Sequence, residues 1–565
     1  MIERLTFLWP EAALFVATCI VMVLGLSPRL AVRKLSAAVT VTGIIAAGIL
    51  AWATTPVQTQ IAPLAGQLLL PNLALYAKVV IAIVALPLVL LLAGTVDREE
   101  EASIETGRGT FNPLRSNRAE FYSFVLFSLT GLMLCASADD LIWLFLALEL
   151  TSLPTYIMVT ISGSAGRGEH KSREAGVKYF FLGALGAAVF LYGFALLYGA
   201  TGTTNLNKMY EVFAHGGFNG LALAGMMLAL LGLCFKIAAV PMHFYTADVY
   251  QGAASGVSAF LAFVPKTAGF IAILLLVSTI GDVNASTRAW LPESIRLMLW
   301  VIAALTMTVG NVLAVLQSNV KRVLAYSSIA HSGYMLVGVI AGPGDGPLAH
   351  NGIAAVLFYL LVYGTMNVGV FAVLACLEKG KPGGEIEHVE TFEDLRGLYA
   401  KHPWLTAVMV ICGLGLLGFP PLLGFFGKVP LFTSLAAAGE YPLLIVLALN
   451  SAIAAYYYLR LVAVPFLESP DSRAASLHVT PFRTRGLAGV VSAVAVLGLT
   501  LVADSILQQA NRAANYRGAM PQMAEPAGDG KSSIRDLLRS TSAAPTTENG
   551  QNNDAAKPAE RVSVR

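Results

Sequence analysis

Five lysines, Lys78, Lys178, Lys236, Lys266 and Lys428, and the acid Glu149 lie inside apolar stretches of the sequence, the first of which also carries Glu11 near its start. A charged side chain in hydrocarbon costs about 2.5–3.5 kcal/mol even on the gentlest insertion scale, so the four deepest, Glu149, Lys236, Lys266 and Lys428, need a use. Removal from water favours the neutral amine and a neighbouring carboxylate favours the ammonium, so a lysine poised between the two can carry a proton. Moving one proton against ~180 mV costs about 4 kcal/mol. Making and breaking a Glu149–Lys236 ion pair supplies a change of that order. A static pair that merely holds helices together is the alternative. Lys78 and Lys178 lie only a few residues inside their stretches, where an ammonium can snorkel to the interface.

Of the eight histidines only His243 and His331 fall near the same depth. His331, in AYSSIAHSGYML, stands beside Tyr326, Ser327 and Ser328, which suits either a hydrogen-bonded proton relay or a satisfied histidine with no role in transport. His243 is open to the same pair of readings. Nothing points to a redox cofactor or a metal: a bundle haem needs two axial ligands on facing helices. The five cysteines, Cys19, Cys135, Cys234, Cys376 and Cys412, sit singly in apolar runs without a C-x-x-C. Gly413, Gly415 and Gly418 match G-x-G-x-x-G, but no strand precedes them, so the match is fortuitous and the glycines suit close helix packing.

The elements that must hold these groups are membrane spans. The 565 residues are 56% hydrophobic and 13% charged, against about a quarter charged in soluble proteins. A mean hydropathy of +0.69 excludes a soluble enzyme, and a net charge of +3 from 37 basic and 34 acidic residues gives no sign of nucleic-acid binding. At about 20 residues per crossing, fourteen apolar stretches are legible, at 9–26, 36–54, 72–95, 120–137, 140–160, 174–200, 220–250, 256–280, 292–317, 322–341, 350–377, 403–434, 441–466 and 485–507. The first is read as a retained span because no basic leader or A-x-A site accompanies it. The fold class is therefore all-α and polytopic.

Basic residues fix the direction. The odd-numbered connections hold Arg29, Arg33 and Lys34, then Arg98, Arg108, Arg115 and Arg118, then Arg167, Lys171 and Arg173, and further groups including Lys321 with Arg322. The even ones hold little more than Lys208, Arg288 and Arg296, and the seventh connection holds no base. Lys and Arg resist translocation, so the odd loops are expected in the cytoplasm and both termini on the outer side. From about residue 508 the composition turns to Asn, Gln, Ala, Ser and Pro, as in a disordered tail.

Spans seven and twelve are too long for one crossing and carry Pro241 and Pro420-Pro421 at their centres. Proline deletes a donor and clashes with the preceding turn, so both helices are expected to break. Freed backbone groups survive at membrane depth only against protein or a wet cavity. Each break is the fourth member of a block of five spans, and five being odd, the second block is inverted relative to the first. Transporters place coupling sites at such broken helices, near the midplane. The expected units are three N-terminal helices with their loop (1–118), a first five-helix unit (119–281), an inverted second (282–467), a last helix (468–507) and the tail (508–565).

RAEFYSFVLFSLTGLMLCASADDLIWLFLALELTSLPTY, EAGVKYFFLGALGAAVFLYG, GLCFKIAAVPMHFYTADVYQGA, VPKTAGF, NVKRVLAYSSIAHSGYML and GFPPLLGFFGKVPLF with AAYYYLRLV resemble, in this order, subunit N of the proton-pumping NADH:quinone oxidoreductases, respiratory complex I. The resemblance runs from about residue 118 to 466. It implies fourteen helices in which Glu149 corresponds to the helix-five glutamate, Lys236 to the lysine at the helix-seven break, Lys266 to the helix-eight lysine joining the two units, and Lys428 to the helix-twelve lysine. Lysine at the last position and the absence of a long lateral helix are unlike subunits M and L. Lys178 matches a helix-six lysine of N-type subunits and gains a functional reading. The loop DREEEASIETGRGTFNPLRSNR has no counterpart with an assigned role.

The resemblance implies a proton-translocating subunit in the inner membrane of a bacterium, with the lipid bilayer and other membrane-arm subunits, M and K among them, as partners. It implies no cofactor in this chain, with NADH, FMN, iron-sulfur clusters and quinone confined to partner subunits. A subunit of a multisubunit sodium/proton antiporter, or a non-pumping structural subunit, are the competing readings.

Overall fold

The computed structural model describes residues 7–60, 73–112, 116–163, 167–281, 290–344, 350–380, 386–469, 477–480 and 482–514. In chain order its helices are α1 (Trp9–Gly25), α2 (Leu30–Gln60), α3 (Leu73–Leu91), α4 (Arg98–Glu105), α5 (Arg118–Ala136), α6 (Leu141–Ile161), α7 (Arg167–Thr201), α8 (Leu206–Gly216), α9 (Gly220–Lys236) and α10 (Thr246–Gly252). There follow α11 (Ser255–Val277), α12 (Glu293–Val315), α13 (Val320–Ala341), α14 (Gly352–Cys376), α15 (Leu398–Lys401), α16 (Pro403–Leu417), α17 (Leu423–Ala437), α18 (Tyr441–Leu467), α19 (Arg483–Leu501) and α20 (Ala503–Ala513). Among the described residues eleven helices are long and apolar enough to cross a bilayer. The other apolar stretches of the sequence hold the shorter α1 and the pairs α9/α10 and α16/α17, so both proline-bearing stretches are broken.

Every residue of α11 and of α14 is buried. A helix apolar all round is stable only inside a bundle, and these two, bearing Lys266 and the Tyr359–Tyr363 pair, form its centre. Outer helices instead leave large apolar residues exposed, such as Trp52, Phe181 and Leu449, as a lipid-facing surface requires.

The connections sort by parity. On the odd-numbered side, Arg33 donates to Ser116 Oγ (2.9 Å), Arg98 pairs with Glu378, Lys171 with Glu390 (3.3 Å), and Lys321 donates to Gln251 and Ala253. A small antiparallel sheet, order β2-β1-β3, gathers β1 (Leu377–Gly380), β2 (Ile386–His388) and β3 (Leu477–Val479) from the eleventh and thirteenth connections, strands not foreseen in an all-α reading. On the even-numbered side, Asp140 bridges to Asn205, Arg296 pairs with Glu293 and Glu440, and Trp290 Nε1 donates to the Val339 carbonyl (3.1 Å). Glu11 accepts from Ser137 and Asn351 donates to Asn511 there, which puts the start of α1 and the end of the described chain on that same side.

The loop over 97–118 is an ordered cap among its described residues. The Asp97 carboxylate accepts from the backbone of Asn117 (2.7 Å) and Arg118 (2.8 Å), meeting two of the orphan donors at the start of α5, and Arg118 pairs with Glu101 from α4. Two expectations change. Lys78 does not snorkel: it is buried, paired with Glu11 at 2.8 Å and bonded to the Phe7 carbonyl. The last apolar stretch turns at Val502 into α20, whose buried Ala503, Leu507, Ala510 and Ala513 continue a helical period through residue 508, where composition alone placed the tail. The residues from 515 onward lie outside the described set.

Lys78→Met should leave Glu11 buried without a partner and destabilise the chain by about 3–5 kcal/mol, while Glu11→Gln/Lys78→Met should recover most of the loss; thermal aggregation of the detergent-solubilised protein measures both. Asp394, buried in the eleventh connection, accepts from the Glu390 and Thr391 amides (3.1 and 2.9 Å) and pairs with Lys379. Burial works against its charge, yet Lys379 and the two amides hold its carboxyl below the ordinary carboxylate value. Its stabilisation is therefore complete above about pH 4 and lost as pH falls below it. Asp394→Asn should flatten that acid limb in melts taken between about pH 2 and pH 5.

Candidate proton path

The first break lies between α9 and α10. Ala238 adopts φ 55°, in the left-handed region, and the Val240–Pro241 peptide is cis. The backbone groups freed here are met by the second half of the chain: Val240 N–H donates to Thr306 Oγ1 of α12 (3.0 Å), and Ser332 of α13 donates to the Ile237 carbonyl. This satisfies the demand that broken helices in hydrocarbon be sealed by protein.

Lys236 is the last residue of α9, at the negative end of that half-helix dipole. Its buried ammonium pairs with Glu149 Oε1 at 3.0 Å, donates to Ser152 Oγ at 2.7 Å and lies 5.5 Å from the centre of the Phe190 ring. Glu149 itself is 18% exposed in the isolated chain, so the pair is sealed on one side only.

A cavity of about 10 Å³, room for about one water, lies between Lys236 and Lys266 and is lined also by Tyr179, Thr246, Tyr250 and Pro265. Pro265 has no N–H to give the Leu261 carbonyl, and Leu261 also lines the cavity. Lys266 has no carboxylate in contact among the described residues. Its ammonium donates to Ser328 Oγ (2.6 Å) and to the Ser328 carbonyl, and it lies 5.2 Å from the Tyr363 ring centre.

Beyond Tyr363 the path enters a buried aromatic cluster. The His331 ring is 4.9 Å from that of Tyr363, its Nδ1 is 2.8 Å from Tyr359 Oη, and its Nε2 is 2.7 Å from Tyr458 Oη. Tyr458 also meets Ser327. Tyr334, 5.3 Å from His331 ring to ring, lies under the Lys428 ammonium at 5.2 Å. Lys428 reaches back across the second break to accept its place at the end of a half-helix too, donating to the Leu417 carbonyl of α16 at 2.8 Å. Both break lysines thus sit at the negative ends of the first half-helices, the position that suits a cation.

Four of the expected residues, with His331, are therefore gathered into one buried series. Two are not. Lys178 is 43% exposed and pairs with Glu174 (2.7 Å) and Asp248 (3.1 Å) on the flank of α7, away from the buried series. His243 is half-buried and tilted on Phe244 at 4.8 Å, and its buried Nδ1 has no hydrogen-bond partner among the described residues. Residues not anticipated are Ser152, Tyr250, Tyr359, Tyr363 and Tyr458. The AYYYLR run held Tyr458 in plain sight, but that Tyr457 and Tyr458 turn inward while Tyr456 stays exposed depends on the rotation of α18. Among the described residues no group of three or more His, Cys, Asp or Glu side chains can hold a metal ion.

The glycines of the fortuitous motif shape the second break. Gly418 has φ +86°, and a Cβ there would lie 2.9 Å from Lys428 Cδ; a Cβ on Gly424 would lie 1.8 Å from the Gly415 carbonyl oxygen. The two half-helices touch backbone to backbone.

A family model described as NADH:quinone oxidoreductase/Mrp antiporter, TM, matches residues 138–454. NADH-quinone oxidoreductase subunit N of Trichlorobacter lovleyi is 39% identical over 477 residues, 83% of this chain and 89% of that protein. Subunit N 2 of Rhizobium meliloti is 38% identical over 382 residues, 68% of this chain and 75% of that one. Among solved structures, a chain of respiratory complex I from Thermus thermophilus is 32% identical, with a TM-score of 0.67 over 88% of this chain and 98% of that one. A chain of the Mrp complex from Dietzia sp. reaches a TM-score of 0.70 over 92% and 98% at 21% identity, a likeness of fold alone.

Gly418→Ala should displace the Lys428 ammonium from its carbonyl and lower any activity that depends on it while the protein still accumulates in the membrane. Gly424→Ala has no space to form and should reduce the amount of folded protein itself; immunoblots of purified membranes separate the two outcomes.

Proposed function

The chain belongs to the subunit N family of the NADH-quinone oxidoreductases, and on that premise we propose that it moves protons through the buried series Glu149, Lys236, Lys266, His331 and Lys428. It is a multi-pass, proton-pumping subunit of the membrane arm of a complex I. NADH oxidation and quinone reduction, with their FMN and iron-sulfur clusters, belong to other subunits, and this chain contributes the ion path.

The observation that carries the reading is the Glu149–Lys236 pair at the end of α9, facing a water-sized cavity whose other wall is Lys266. While Glu149 holds its negative charge beside Lys236, the ammonium is compensated. Withdrawing that charge leaves an uncompensated buried cation, the most costly state of the pair. The proton then crosses a water in the cavity to the neutral amine of Lys266, and the ammonium formed there is held by the Ser328 hydroxyl and carbonyl in place of a carboxylate. From there the Ser328 hydroxyl and the His331–tyrosine cluster lead toward Lys428, which sits at the second half-helix end.

The parity of the connections supports fourteen crossings in two inverted five-helix units, with both termini on one side. The basic odd loops make that the outer side of a bacterial inner membrane. The partly exposed Glu149 and the Lys178 cluster need a covering neighbour, and the membrane-arm subunits M and K are the candidates. The Lys178 cluster is assigned to that contact and not to the path. A sodium/proton antiporter subunit would use the same buried charges, but the relatives named for NADH-quinone oxidoreductase favour the proton pump.

In complex assembled into membrane vesicles, Lys236→Ala and Glu149→Gln should each lower NADH-driven acidification at least tenfold, about 1.4 kcal/mol or more in barrier terms, with assembly retained. Full acidification by assembled Lys236→Ala complex would overturn the reading. Proton movement driven by an imposed sodium gradient alone would replace it with the antiporter.

A further inference from the structure

We propose that Lys321 and Arg322, at the start of α13, are positioning residues that clamp the half-helix α10 so that Tyr250 controls the hydroxyl receiving Lys266. The proposal rests on the proton path above and deepens it.

The half-helix α10 has only seven residues, too few to hold itself by its own ladder. Its last carbonyls have no partner within the helix. Lys321, buried although it lies in a connection whose bases should face water, donates to one of them, the Gln251 carbonyl at 3.1 Å, and to the carbonyl of Ala253, the residue just past the helix, at 2.9 Å. A cation at a helix C-terminus also meets the negative end of its dipole. Both partners are carbonyls, which only accept hydrogen bonds, so among the described residues Lys321 holds α10 in place and hands no proton to these two groups.

Arg322 grips the next face, donating to Asp248 Oδ1 at 2.7 Å and Gln251 Oε1 at 3.1 Å. Asp248 takes Lys178 of α7 on its other oxygen at 3.1 Å. Thus α10 is slung between α7 and α13 by charges, and two of its buried residues, Thr246 and Tyr250, line the cavity between Lys236 and Lys266.

The consequence falls on Ser328. Tyr250 Oη is 3.3 Å from Ser328 Oγ, the atom that receives the Lys266 ammonium. A hydroxyl has one proton and two lone pairs. When Lys266 is an ammonium, Ser328 accepts from it and donates to Tyr250. When Lys266 is a neutral amine, Ser328 donates to the amine and accepts from Tyr250. Tyr250 lets one hydroxyl serve both states of the lysine, provided that α10 stays in place.

The test uses assembled complex in vesicles, scored as protons translocated per NADH oxidised, a ratio that lower expression or assembly does not change. Lys321→Met, unbranched and one atom shorter but without donors, should lower the ratio about twofold or more, and Lys321→Arg should restore it. Tyr250→Phe, which removes a single hydroxyl, should lower it comparably without changing the amount of complex. If Lys321→Met prevents assembly, Tyr250→Phe decides. Parental ratios in Tyr250→Phe, or in assembled Lys321→Met, overturn the proposal. Lys236→Ala is the reference: if it pumps fully, the path itself is wrong, whereas if it is dead while Lys321→Met and Tyr250→Phe pump normally, only the clamp is.

Discussion

A polar group surrounded by hydrocarbon has no water to fall back on, so it must find its partner within the protein. That constraint explains both breaks. Pro241 and Pro420-Pro421 free backbone groups at depth, and the chain answers with Thr306 and Ser332 at the first break and with Lys428 at the second. It also explains where the lysines stand. An ammonium is tolerated where a half-helix presents carbonyls short of partners, as Lys428 and Lys321 show, while Lys236, the last residue of its half-helix, is held by Glu149 and Ser152. The defects that make the helices weak are what make the cations admissible.

Because the seal of the first break comes from α12 and α13, the two halves of the molecule are not separable modules. Lys266, on the wholly buried α11, gives its hydrogen bonds to α13. The proposed path from Glu149 to Lys428 therefore crosses the boundary between the halves at Ser328. The hydroxyl and imidazole groups beyond it, Tyr363, His331, Tyr359 and Tyr458, are packed ring against ring. Such a cluster keeps water scarce while leaving groups that both give and take a proton.

The two sides of the molecule do different work. On the even side few charges are needed, and Arg296 is neutralised by Glu293 and Glu440. On the odd side the basic residues are spent on contacts: Arg98 on Glu378, Arg118 on Glu101, and Arg485 on the Ala93 and Ala375 carbonyls. Residues that set orientation thereby also tie the helix ends together. The seventh connection, bare of bases in the sequence, receives Lys321 and Arg322 from the ninth.

Much of this was determined by the sequence alone. Hydrophobic run length marks the spans, proline at mid-run marks the breaks, and a lysine or glutamate in hydrocarbon announces itself because a charge there must find a partner whichever way its helix is turned. Hence Glu149, Lys236, Lys266, Lys428 and His331 were legible one residue at a time. What only the tertiary structure decided is direction. Whether Lys78 reaches water or Glu11, whether Lys178 faces inward, and which tyrosine of AYYYLR meets His331 all depend on the rotation of a helix about its axis. In a helix apolar on every side the sequence carries almost no record of that rotation, since lipid and core reward the same side chains. Lys321 was hidden for the converse reason: a base near a helix end serves topology equally well exposed or buried, and only the neighbouring half-helix, short of partners for its carbonyls, drew it inside.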